Sequence, residues 1–163
     1  MTDETIDDMI DNIAAIKQVK YRYLRALDTK CWDEFAATLA EDVTADYGTS
    51  MGKEHLFTDR ASLVEFMRSS LPATVISEHR VSHPEISLTG PDSATGTWYL
   101  ADRVIMPEHN LMLIGAAFYH DGYRRTPDGW KISATGYQRT YDATMPLSSI
   151  PGFRVSVGDA VHR

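Results

Sequence analysis

The sequence predicts an α+β domain, helices packed on one face of an antiparallel sheet. Three observations carry that prediction. Before Pro72, apolar residues recur mainly at helical spacing. After it, four segments are rich in Thr, Val, Ile, Tyr and Trp. Turn-forming GPDS, PEHN and PDG at residues 90–93, 107–110 and 127–129 separate those segments. Helices first and hairpin-linked strands afterwards is the signature of a helix layer on an antiparallel sheet.

Residues 6–27 carry Ile6, Met9, Ile10, Ile13, Ile16, Tyr23, Leu24 and Leu27, with no Pro or Gly between them, and predict a long amphipathic helix. Trp32, Phe35, Ala36 and Leu39 follow the i, i+3, i+4, i+7 pattern of a second, short helix. A third begins at Asp59, an N-cap type, and runs through Leu63, Val64, Phe66 and Met67 to Leu71, just before Pro72. Short β-like pieces, residues 43–47 and 53–56, lie between the second and third helices around a Gly-containing turn. Strands are expected at 74–83, 93–106, 111–125 and 130–142. The tail from about 145, with Pro146, Pro151, Gly152 and Gly158, is expected to be irregular and available to cover a pocket or a neighbouring subunit.

A chain of 163 residues is read as one domain, residues 1–163, without repeat, low-complexity block or linker. Its formal charge of -7 speaks against nucleic acid or an anionic membrane as partner. No apolar run approaches the roughly 18 residues of a bilayer span. The acidic start MTDETIDDMID lacks the basic and apolar regions of a signal peptide, and Cys31 is a lone cysteine, so a reducing cytoplasm is the expected compartment. Cys31 has no evident paired base and reads as packing.

Period-2 bookkeeping exposes ionisable groups on apolar faces. In 93–106, Asp102 shares its side with Trp98, Leu100, Val104 and Met106, while Tyr99 and Arg103 point the other way. In 74–83, His79 shares parity with Val75 and Val81. In the last strand, Arg139 shares parity with Tyr137 and Tyr141. Each alone is also what a satisfied structural group looks like. Together they suggest a polar cluster in an apolar cavity, because a bare buried charge is too costly to keep. Tyr23 and Asp28 are five apart and would not share a face of a continuous helix. They converge only if the helix ends near Leu27 and Asp28 turns inward; otherwise Tyr23 is a core aromatic and Asp28 a loop residue.

A catalytic metal is not expected. His79 and His83 stand four apart on one strand parity, but Pro84 follows and no third ligand is near. No GxGxxG follows a strand, so nucleotide and nicotinamide cofactors are not expected.

The run IKQVKYRYLRALDTKCWDEFAATLAEDVTADY resembles the opening of the SnoaL-like branch of the NTF2-like superfamily. EHRVSHPEISLTGPDSATGTWYLADRV resembles its strand pair, and DGYRRTPDGWKISATGYQRTYD its closing hairpin. The resemblance covers nearly the whole chain. It implies a cone: a strongly curved antiparallel sheet, helices over its opening, and one deep apolar pocket. It also implies self-association into a homodimer or homotrimer.

Within that superfamily the chain is most similar in function-bearing residues to bile-acid 7α-dehydratase, scytalone dehydratase and lindane dehydrochlorinase. All three eliminate a leaving group and a proton without a cofactor. The resemblance to the bile-acid enzyme implies catalytic roles for Tyr23, Asp28, His79, Asp102 and Arg139. The dehydrochlorinase matches at aspartate, histidine and arginine but has lysine where this chain has Tyr23. In scytalone dehydratase the tyrosine and aspartate are adjacent, and its second tyrosine corresponds to Tyr47. The implied chemistry is a dehydratase-type elimination on a hydrophobic hydroxylated ring compound, steroid- or polyketide-like. His79 would be the base, oriented by Asp28, with Tyr23 as hydrogen-bond donor and Arg139 as fixed positive charge. Tyr47, Trp98, Met106, Met112 and Phe118 would line the substrate slot. The scaffold equally hosts isomerases, polyketide cyclases and non-catalytic binding or oligomerisation modules, so fold alone does not select among them.

Overall fold

In a computed structural model of the chain, residues 5–50 and 53–162 are described. Helix α1, Ile6–Thr29, starts at a capping box: the Thr5 hydroxyl accepts from the Asp8 amide while the Asp8 carboxylate accepts from the Thr5 amide. It continues two residues beyond the expected end. Lys30 then closes it in the left-handed region (φ 62°), and Cys31 N–H returns to the Ala26 carbonyl at 2.9 Å. Helix α2, Trp32–Ala37, is shorter than expected because Leu39, fully buried, already belongs to the first strand. Helix α3, Arg60–Ser70, has the anticipated Asp59 cap, whose side chain accepts from the Ser62 amide at 2.8 Å.

The strands are β1 Leu39–Ser50, β2 Lys53–Phe57, β3 Ile76–Gly90, β4 Ser93–Met106, β5 Leu111–Thr126 and β6 Gly129–Pro146. They form one curved sheet in the order β2-β1-β6-β5-β4-β3, antiparallel throughout except for the parallel β1–β6 pair. The turn expected between β1 and β2 includes residues 51 and 52, outside the described residues.

Strand β3 does not stop before Pro84 as expected. It lies at the sheet edge, where a missing N–H is tolerated, and a bulge between Ser82 and Glu85 with His83 at φ 51° absorbs the proline. Two further bulges, at Ala116/Ala117 and Gly122/Tyr123 in the β5–β6 ladder, increase the bend of the sheet. The hydrophobic core lies between the helices and the concave face. Ile16, Val19, Tyr23 and Leu27 of α1, Phe35 of α2 and Leu63 of α3 meet Leu39, Trp98, Leu100 and Ile132 of the sheet. The tail has one 3-10 turn, Leu147–Ser149, and runs back to α1, where His162 N–H bonds the Thr29 carbonyl at 2.8 Å.

Candidate active site

The last turn of α1 aims Asp28 at β3. Its Oδ2 accepts the His79 backbone N–H at 2.8 Å, and its Oδ1 lies 2.7 Å from Nδ1 of the same residue's ring. Oδ1 also accepts the Ser77 hydroxyl at 2.8 Å. A carboxylate offers only lone pairs here, so the ring proton of neutral His79 sits on Nδ1 and leaves Nε2 as the basic nitrogen. Asp28 reaches this position because α1 runs on to Thr29, not because the helix ends at Leu27.

His79 is paired in register with Asp102 on β4, and both face the concave side. Asp102 is held by the Arg139 guanidinium in a two-pronged bond, Nη1–Oδ1 2.5 Å and Nη2–Oδ2 2.7 Å. The bond to Asp102 raises the pKa of Arg139 further, with burial opposing it. The bulge in β6 separates Arg139 from one of its expected companions: Arg139 faces inward with Tyr137, whereas Tyr141, paired with Ala116, is exposed on the convex face.

These groups share a cavity of about 240 Å³. Its apolar walls come from Leu27, Phe66, Met67, Leu71, Val104, Met106 and Leu113; its polar groups come from His79, Asp102, Arg139, His55, Tyr47, Tyr119 and Tyr137. Tyr47 brings its hydroxyl within 3.0 Å of that of Tyr23. Tyr23 is fully buried behind it and is not part of the cavity wall, so Tyr47 is the member of the pair that lines the cavity. Burial, foremost, pushes both phenols well above their usual pKa, which keeps them as donors at neutral pH. An open groove of about 680 Å³ lies along α1 and the β3 edge, lined by Tyr21, Arg25, Ser82, Tyr99 and also by Asp28 and His79. His79 therefore borders both spaces, and Asp28 reaches it from the groove side.

The structure brings Asp28, His79, Asp102, Arg139 and Tyr47 together, with Tyr23 one layer behind. Three expected lining residues stand elsewhere. Trp98 is buried under α1, edge-on to Tyr21 and donating to the Tyr123 hydroxyl at 2.9 Å. Met112 and Phe118 point from β5 to the convex face; Met112 pairs with Ile105, and Phe118 packs on Tyr99 and is exposed. His83 also departs from its expected face: the bulge turns it to Ser82 Oγ and the Tyr99 ring, away from His79. Among the described residues, no three His, Cys, Asp or Glu side chains are grouped to hold a metal ion. None of the described helices is long and apolar enough to cross a membrane.

Sequence reasoning missed a second polar cluster beneath the cavity floor. Lys20 and Asp121, both with fully buried side chains, are paired at 2.7 Å. The Lys20 ammonium also lies 3.4 Å over the Tyr119 ring. Asp121 further accepts from Thr135 (2.8 Å) and Tyr123 (2.9 Å). Burial lowers the pKa of Lys20, and Asp121 opposes that shift.

A curved sheet roofed by helices, with an Asp28-bound His79 in the wall of an oily chamber, defines a small α+β pocket fold. The SnoaL-like domain profile matches residues 8–135, and the chain belongs to that family, within the NTF2-like superfamily. A candidate scytalone dehydratase from Novosphingobium aromaticivorans superposes with a TM-score of 0.77 at 16% identity, covering 98% of this chain and 99% of that one. The hexachlorocyclohexane dehydrochlorinase LinA-type3 from Novosphingobium barchaimii gives 0.76 at 16% identity, with 93% and 99% covered. ActVI-ORFA from Streptomyces coelicolor gives 0.65 at 17% identity, with 78% and 96% covered. At these identities the similarity is one of fold.

Proposed function

We propose that the protein is a cofactor-independent lyase that removes water from a hydroxylated ring compound. The observation that carries this reading is the 2.7 Å contact between Asp28 and Nδ1 of His79, whose ring lines a largely apolar cavity. Nε2 of His79 takes the proton from carbon next to a carbonyl, and the electron pair forms the new C=C as the β C–O bond breaks. The imidazolium returns that proton to the departing oxygen, so water leaves and the base is restored. Asp28 fixes the tautomer and stabilises the transient cation. The Tyr47 hydroxyl, backed by Tyr23, donates to the oxygen on which enolate charge builds. The Asp102–Arg139 pair is the polar wall that orients the ring.

Cavity size bears on the substrate. About 240 Å³ exceeds the roughly 150 Å³ that holds benzene but falls below the roughly 300 Å³ where pockets for drug-sized ligands begin. A one- or two-ring compound of polyketide type suits it better than a four-ring steroid. The exposed Tyr99, Phe118 and Tyr141 on the convex face support self-association of two or three copies through that face.

The test incubates the enzyme with one- and two-ring β-hydroxy ketones in deuterated water and reads products by mass spectrometry. Loss of 18 mass units (the mass of water) with gain of a conjugated chromophore supports the lyase. Deuterium incorporation without loss of water replaces it with an isomerase that uses the same residues.

A further inference from the structure

Behind the Asp28–His79 pair stands a lysine that the mechanism above does not use. Lys30 ends α1 in a left-handed conformation that non-glycine residues seldom adopt, and this turns its side chain inward, leaving the residue only 4% exposed. Its Nζ donates to Ser77 Oγ at 2.8 Å, and the Ser77 hydroxyl donates onward to Asp28 Oδ1 at 2.8 Å. Asp28 Oδ1 is the same oxygen that faces His79 Nδ1. Ammonium, hydroxyl, carboxylate and imidazole thus form one unbroken chain from the end of α1 to the cavity.

We infer that Lys30 is a positioning residue whose positive charge, acting through Ser77 and Asp28, keeps His79 in the neutral form that abstracts a proton. A half-buried carboxylate such as Asp28, acting alone, would draw a second proton onto its histidine partner and remove the base. A cation on the far side of that carboxylate offsets part of its field. The inference rests on the reading of His79 as the base.

The other charges around Lys30 leave it this role. From α1 it faces Asp28 and from β3 Ser77. Arg25, paired with Glu34, and Arg80, paired with Glu78, line the open groove that Asp28 and His79 border. The Asp102–Arg139 pair stands on the cavity side of His79, so each of these cations already has its own carboxylate. The tail contributes His162, which meets this region through its backbone bond to Thr29. Burial pushes the Lys30 ammonium down to about 8, with Asp28 opposing, so at neutral pH the cation is still present.

The experiment needs no substrate, so its outcome is separate from that of the turnover assays. The His79 ring signals are titrated by NMR in the wild-type protein, in Lys30→Met and in Lys30→Arg. Methionine fills the same volume without charge; arginine retains the charge. The His79 midpoint should move up by about one pH unit in Lys30→Met, the size expected for one charge several ångströms away, and return close to wild type in Lys30→Arg. An unchanged midpoint in Lys30→Met overturns the inference. So does an equal rise in both variants, which would assign the effect to packing.

Discussion

Gly115 is the gap through which Arg139 reaches Asp102. It lies on β5 between the strands carrying the two side chains, and a Cβ there would stand 2.6 Å from Arg139 Nη1 and 3.2 Å from Asp102 Oδ1. The Tyr141 carbonyl, 3.0 Å from the same point, blocks retreat toward the backbone. Gly115→Ala should therefore displace the guanidinium and destabilise the fold by about 1–3 kcal/mol, read by urea unfolding.

Removing one partner of the Asp102–Arg139 pair should cost more than removing both. Arg139→Met strands a carboxylate in a site that is nearly closed to water and should cost about 3–5 kcal/mol. The double variant Asp102→Leu/Arg139→Met should recover much of that loss. Chemical denaturation of the four members of the cycle measures it.

Asp28→Asn places an amide where the tautomer-fixing carboxylate stood. Turnover should fall by about 10²–10⁴-fold, with far-UV circular dichroism unchanged.

The two phenols should separate by layer. Tyr47→Phe removes the hydroxyl at the cavity wall and should lower kcat by about 10²-fold with little change in KM. Tyr23→Phe removes only its supporting bond and should cost clearly less. Steady-state kinetics of both variants would compare them.

Stability should depend on pH in the alkaline range with a defined sign. Lys30 titrates near 8 in the folded chain against 10.5 ordinarily, so between those values the unfolded chain binds more protons. The cost of burying its charge is present in full below pH 8 and is relieved as pH rises toward 10.5. Tyr23, Tyr47, Tyr119 and Tyr123, raised chiefly by burial, keep protons that the unfolded chain sheds above pH 10, so stability falls beyond that point. Urea midpoints taken from pH 7 to 11 should show the wild type gaining on Lys30→Met between pH 8 and 10, and both losing stability above it.

Much of the fold was legible because helical and strand periods alternate cleanly on either side of Pro72. Parity alone turned His79 and Asp102 to one face. The same count, carried along β5, turns Tyr119, Asp121 and Tyr123 inward and Met112 and Phe118 outward. Lys20 was legible in the same way, four residues from both Ile16 and Leu24 on the buried face of α1. Other features had no local signature. The bulge at Thr140 breaks the parity of Arg139 and Tyr141, and the bulge at His83 breaks that of the two histidines. The inward turn of Lys30 depends on a left-handed residue that sequence assigns by default to glycine or asparagine.

The most direct test of the central claim is the rate of water loss from a turned-over ring substrate by His79→Ala, followed by absorbance of the conjugated product. With the Asp28-oriented imidazole gone from the cavity wall, the variant should be slowed by about 10³-fold or more while remaining folded. A rate within tenfold of wild type would contradict the assignment and move the proton-abstracting group elsewhere in the chamber.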